Sequence, residues 1–171
     1  MKAFIPEKVQ LPDRKVLTIT SMGDPNKVGE EVFSALYGTA FGTRFKVYKP
    51  KGLEVKFGKL TALWPDAHLK PKDEWTGIWA IPVPDFYEEN DLVQKDPDNS
   101  VKVEIWKGGT YAQVLHLGSY SEEEPTIKTL HEYIKEEFGM DMKDVPGIHE
   151  EEYLTSPDAK VVKTIIRYRI S

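Results

Sequence analysis

Gln113 to Leu130 reads QVLHLGSYSEEEPTIKTL, and His149 to Pro157 reads HEEEYLTSP. The first run is apolar as far as Leu117, breaks at Gly118, and then offers serines, acidic residues and a proline, the composition of a strand handing over to a helix. Ser121 and Glu124 have the spacing of a capping box. Ile127, Leu130, Ile134 and Phe138 make a stripe along one side, and Gly139 supplies the stop. The second run reads as a strand. Side chains alternate along an extended chain, so His149, Glu151 and Tyr153 share one side, and Ile148, Glu150, Glu152 and Leu154 the other. A carboxylate and a tyrosine two apart on one sheet face form a candidate site. An acidic surface strand is the plain alternative, because glutamate is rarely buried without a partner.

The same pattern occurs earlier in the chain. A shift of 95 residues lays Leu17 to Gly23 over Ala112 to Gly118, and a helix is expected after each copy. The first helix is expected to use Asp24 as N-cap and Pro25 at its first position, and to carry Val28, Val32, Leu36 and Phe41 before Gly42. Further strands are expected over Lys59 to Trp64, Trp75 to Val83, Val101 to Trp106, Val145 to Leu154 and Val161 to Ile170, with another near Phe45 to Tyr48. Pro65 to Lys72 and Asp85 to Pro97 read as loops. The expected fold is therefore α+β, one domain over residues 1–171 made of two halves, about 1–95 and 96–171. Each half runs strand, helix, strand, strand and buries one sheet face under its helix.

Composition narrows the chemistry. The 171 residues include 40% hydrophobic and 11% aromatic side chains, enough for a globular core. No apolar run approaches the roughly 20 residues of a membrane helix, so no membrane partner is expected. With no cysteine there is no disulfide, thiol nucleophile or cysteine-ligated zinc, and a cytoplasmic location is expected. The formal net charge of −5 argues against nucleic-acid binding, which needs clustered lysine and arginine. His68, His116, His131 and His149 show no metal-ligand spacing, and no serine sits in a nucleophile turn, so neither metal nor cofactor is expected. His116, at a strand end, reads as a structural hydrogen-bonding residue.

Aromatic residues supply the rest of the candidate site. Trp75 and Trp79 lie four apart in one expected strand and so share a face, while Trp64 and Trp106 each end another strand. Large rings near a carboxylate form a cage for flat, apolar or cationic molecules, with cation–π attraction of about 0.5–2 kcal/mol per contact.

His116, Leu117, Gly118 and Tyr120, then Glu122 to Pro125, Glu151, Tyr153 and Leu154, and finally Lys163 to Arg167 resemble the sequence pattern of the GyrI-like small-molecule-binding domain family. The resemblance is strongest from Trp75 to Arg167 and also favours Trp64, which closes Leu60-Thr61-Ala62-Leu63-Trp64 where relatives carry Leu-Glu-Gly-Leu-Trp. It implies a pseudo-twofold curved antiparallel sheet with helices on one face and a ligand cleft on the other. Ligand contacts are then expected from Trp64, Trp75, Trp79, Trp106, Tyr120, His149, Glu151 and Tyr153, and the expected partner is a small molecule. Three functions occur on such domains: effector sensing beside a DNA-binding module, inhibition of gyrase, and hydrolysis of strained cyclopropyl electrophiles. Binding of flat, apolar or cationic molecules is the reading adopted. The alternative is a hydrolase in which Glu151 activates water and Tyr153 or Tyr120 donates to the developing oxyanion. A regulator of a protein partner such as gyrase is the further alternative.

Overall fold

A computed structural model describes residues 1–171. In chain order its elements are β1 (Glu7–Leu11), β2 (Arg14–Met22), α1 (Glu30–Thr43), β3 (Thr61–Leu63), β4 (Thr76–Pro82), β5 (Lys102–Trp106), β6 (Gly109–Leu117), α2 (Glu124–Phe138), β7 (Glu150–Tyr153) and β8 (Lys163–Arg169). They form two compact units. One is Arg14–Trp106, and the other joins Met1–Asp13 to Lys107–Ser171. No helix is long and apolar enough to cross a membrane.

Both units are α+β and repeat one topology. In Arg14–Trp106 the antiparallel order is β5-β2-β4-β3, and in the other unit it is β1-β6-β8-β7. Each contains the expected strand-helix-strand-strand module plus one edge strand. The duplication extends to backbone detail at two glycines. Gly23 (φ 110°) and Gly118 (φ 127°) end β2 and β6 in the left-handed region that favours glycine, and their amides donate to Trp75 O (2.8 Å) and Val162 O (2.9 Å) respectively.

In the second unit, Leu130 and Ile134 of α2 are fully buried against Ala112, Val114, Ile166, Tyr168 and Ile170. Burial of each large aliphatic side chain contributes about 1.5–3 kcal/mol. Gly139 ends α2 in the left-handed conformation (φ 66°), as the sequence predicts. The capping box lies two residues earlier than expected. Ser119 and Glu122 form it around a single turn, Tyr120–Glu122, which runs into α2, while the Ser121 hydroxyl bonds that of Ser119.

The first helix departs further from expectation. Asp24 accepts from the Asn26 amide (2.9 Å) and forms a turn of its own, and α1 starts only after Gly29. At the other end it continues past Gly42 into a wide helical turn, Arg44–Tyr48, and closes at Gly52 (φ 75°). The strand expected near Phe45 to Tyr48 is therefore helical. Arg-Phe-Lys-Val-Tyr alternates like a strand, but Phe33, Tyr37, Phe41 and Phe45 fall every fourth residue and continue one helical side. Strand β1 was not anticipated. It is a short edge strand paired with β6 at Gln113 to Gly109, a partner about 100 residues away in the chain.

Candidate functional site

Register decides which way each glutamate of β7 points. Glu151 lies opposite Ile166 and Tyr153 opposite Thr164, while Glu150 and Glu152 lie opposite Arg167 and Ile165. Directly paired residues project to the same face. Ile166 packs under α2, so Glu151 and Tyr153 stand on the helix side of this unit's sheet rather than on the face away from the helices. Glu150 and Glu152 turn to the other face, where Arg167 Nη1 donates to Glu150 (2.9 Å) and Nη2 to Glu152 (2.7 Å). Arg167 Nε also donates to Gln113 Oε1 (3.2 Å), whose amide nitrogen donates to Glu7 (3.0 Å). The regular alternation of an acidic strand thus brackets one buried guanidinium and leaves Glu151 for other work.

Glu151 is 8% exposed and ends a chain of hydrogen bonds. Its Oε2 lies 3.0 Å from His149 Nε2, His149 Nδ1 lies 2.8 Å from the Tyr168 hydroxyl, and that hydroxyl lies 3.1 Å from His131 Nε2. A carboxylate only accepts, so His149 Nε2 donates to Glu151; in the tautomer whose Nδ1 is an acceptor, Tyr168 donates to His149 Nδ1 and accepts from His131 Nε2. Burial, and then the charge of Glu151, pushes the Tyr168 phenol up and keeps it protonated.

A second carboxyl meets Glu151. Glu123, immediately before α2, is 7% exposed and shares a hydrogen bond with Glu151, while its Oε1 is buried without a partner. A helix N-terminus favours negative charge. Here desolvation outweighs it and, with the charge of Glu151, pushes Glu123 up to about 9. Glu123 therefore carries the proton of the pair at neutral pH. Tyr120 and Tyr153 stand edge to face, 5.8 Å between ring centres, and burial followed by the charges of Glu123 and Glu151 raises the Tyr120 phenol. Carboxylate, carboxylic acid, imidazole and two phenols are thus gathered where β7 approaches the start of α2. Glu151 is not among the residues lining the open hollow of about 310 Å³ bordered by Phe4, His116, Glu122 and Pro125. His116 has a structural role: its Nδ1 meets Thr126 Oγ1 (2.8 Å) and its Nε2 the Ser119 carbonyl (3.0 Å), tying the end of β6 to the start of α2.

A stability signature follows from Glu123. Its folded value of about 9 exceeds its ordinary 4.5, so between these limits the folded state holds a proton that the unfolded chain has released. Stability should then fall as pH rises, by up to about 1.4 kcal/mol per pH unit. Glu123→Gln should flatten that slope and be more stable than the wild type at about pH 8 in denaturant unfolding. A wild-type curve without the slope would contradict the assignment.

The tryptophans gather in the other unit. Trp64 lies 5.2 Å from Trp79 and 6.0 Å from Trp75, and Phe33 of α1 lies 4.9 Å from Trp79. Trp79 donates to Ser21 Oγ (2.9 Å) and Trp75 to the Lys70 carbonyl (2.9 Å), whereas Trp64 Nε1 is buried with no partner. Trp106 stands apart on β5, with the Arg14 guanidinium 5.6 Å above its ring. Matching registers put Ala62 where the other unit has Glu151, Trp64 where it has Tyr153, Ile81 for Tyr168 and Ala80 for Arg167. One copy of the module is polar at these positions, and the other is apolar and aromatic.

Glu123, Tyr168 and His131 escaped the sequence reading. Tyr168 was within reach, because it shares parity with Ile166 in β8. Which of Glu122, Glu123 and Glu124 turns inward was not, because the turn at Tyr120–Glu122 decides it.

Several solved structures share the fold, among them the three that follow. A hydrolase from Listeria innocua is 23% identical, with a TM-score of 0.76, covering 100% of this chain and 94% of its own. An uncharacterised conserved protein from Listeria innocua is 24% identical, with a TM-score of 0.80, covering 99% and 93%. The EcmrR C-terminal domain is 15% identical, with a TM-score of 0.61, covering 98% and 97%. No curated protein sequence matches the chain. The sequence pattern of the GyrI-like small molecule binding domain matches residues 5–169, and the chain belongs to that family.

Proposed function

We propose that the protein binds flat, apolar or cationic small molecules, with Glu151 as the charged contact and Tyr120 and Tyr153 as ring contacts. The observation that carries this reading is the buried Glu151–Glu123 pair. Burying two carboxyls beside each other costs stability. The duplicate module builds the same topology with Ala62 in the place of Glu151, so the fold does not require the pair. A negative charge already withdrawn from water, beside phenol rings, favours a cation on an apolar body. His149 orients Glu151. Within their own unit, Trp64, Trp75 and Trp79 are assigned to stacking on apolar ligand surface, and the lone Trp64 N–H to a ligand acceptor. Calorimetric titration with naphthamidinium and with its neutral isostere naphthamide tests the charge assignment. The cation should bind more tightly, and equal affinities would refute it.

The acid pair favours hydrolysis as a second reading. A protonated Glu123 beside the charged Glu151 is a general acid and a general base in one site, and the Listeria innocua hydrolase shares the fold. For a strained cyclopropyl electrophile, Glu151 would take a proton from water as the water oxygen bonds to the ring carbon. The strained C–C bond breaks, its electron pair passes to the oxygen of a carbonyl conjugated with the ring, and Glu123 or Tyr153 supplies the proton to that oxygen. Many turnovers of ring-opened, hydrated product, abolished in Glu151→Gln, would establish this reading. Stoichiometric protection without turnover leaves the protein a binder.

A further inference from the structure

The Glu151–Glu123 pair carries one negative charge and one shared proton, and its neighbours fix how that balance can change. His149 faces Glu151 from the start of β7, with Tyr168 of β8 and His131 of α2 behind it, and Tyr120 approaches from the turn before α2. None of these neighbours donates to Glu123 Oε1, which is buried without a hydrogen-bond donor. A buried acceptor left empty is costly, and a ligand N–H would satisfy it. Buried sites also disfavour net charge, so a bound ligand should leave the site close to neutral.

We propose that Glu123 makes the pair a proton-exchanging subsite: flat monocations bind with the shared proton in place, whereas flat dications bearing N–H groups bind by displacing it. This rests on the reading of Glu151 as the charged ligand contact. A monocation neutralises the single charge of the protonated pair. A dication does so only if the proton leaves, and its N–H groups then take over the hydrogen bond that the proton made and reach Glu123 Oε1. The value of about 9 for Glu123 means that the proton is present to be displaced throughout the neutral range.

The test is calorimetry on the full chain in two buffers of different ionisation enthalpy, with naphthamidinium as the monocation and naphthalene diamidinium as the dication. The dication should release about one proton per molecule bound, and its affinity should rise about tenfold per pH unit from about pH 6 to about pH 8. The monocation should show neither effect. Glu123→Gln should abolish the proton release and weaken the dication about tenfold or more relative to the monocation. Saturable binding of both cations without buffer-dependent heat overturns the exchange and leaves the Glu151 reading standing. Proton release that persists unchanged in Glu123→Gln also overturns it, because the proton then comes from another group. Failure of the dication alone to bind overturns the exchange and leaves the Glu151 reading standing, whereas failure of the monocation overturns both.

Discussion

Arg167→Ala is expected to cost about 3–5 kcal/mol of folding stability, the range for removing one partner of a buried ion pair. Arg167 is 5% exposed and Glu150 is 3% exposed, so neither charge is extensively solvated in the folded state. Arg167 donates to both Glu150 and Glu152 and also holds Gln113, and alanine would withdraw all of those bonds at once. The loss comes chiefly from stranding carboxylates away from water, so pairing Arg167→Met with Glu150→Gln should recover much of it. Denaturant unfolding at neutral pH measures both variants. A loss below about 1 kcal/mol for Arg167→Ala would show that the network is not a structural element of the strand pair.

Glu151→Gln is expected to weaken a flat cation by about 2–5 kcal/mol, roughly 30-fold or more in affinity, and to leave the neutral isostere nearly unchanged. The substitution keeps size and shape and removes only the charge. Because that charge helps push up Glu123, Tyr120 and Tyr168, the variant should also lower the Glu123 value and reduce the fall in stability at alkaline pH. Equal weakening of cation and neutral ligand would mean that the variant damages the shape of the site rather than its charge.

The parts of the fold legible in the sequence are those specified by residues close together. The strand-glycine-helix hand-over at Gly118 is local, and its counterpart at Gly23 exposes the duplication. The stripe of α2 and its stop at Gly139 are local too. Strand β1 depends on a partner about 100 residues away, and nothing within Glu7–Leu11 announces it. Phe45 to Tyr48 carries two periodicities, and the helix already running from Glu30 settles the choice. The parity of β7 was readable, so Glu151 and Tyr153 could be separated from Glu150 and Glu152. The side on which they stand was not, because it depends on the pairing of Glu151 with Ile166 and on the packing of Ile166 under α2. Glu123 stayed hidden for a related reason: three successive glutamates look alike until Ser119 takes the side chain of Glu122 and the turn sends Glu123 inward.

Glu151 is proposed as the charged contact of a ligand site whose second carboxyl carries a proton. Carboxyl-¹³C NMR of glutamate-labelled protein near neutral pH, with Glu151 and Glu123 assigned through their glutamine variants and titrated with naphthamidinium, tests it most directly. The free protein should show Glu123 as an uncharged acid, and the Glu151 resonance should move saturably with the binding isotherm. Saturable binding with the Glu151 resonance unmoved would remove Glu151 from the ligand site.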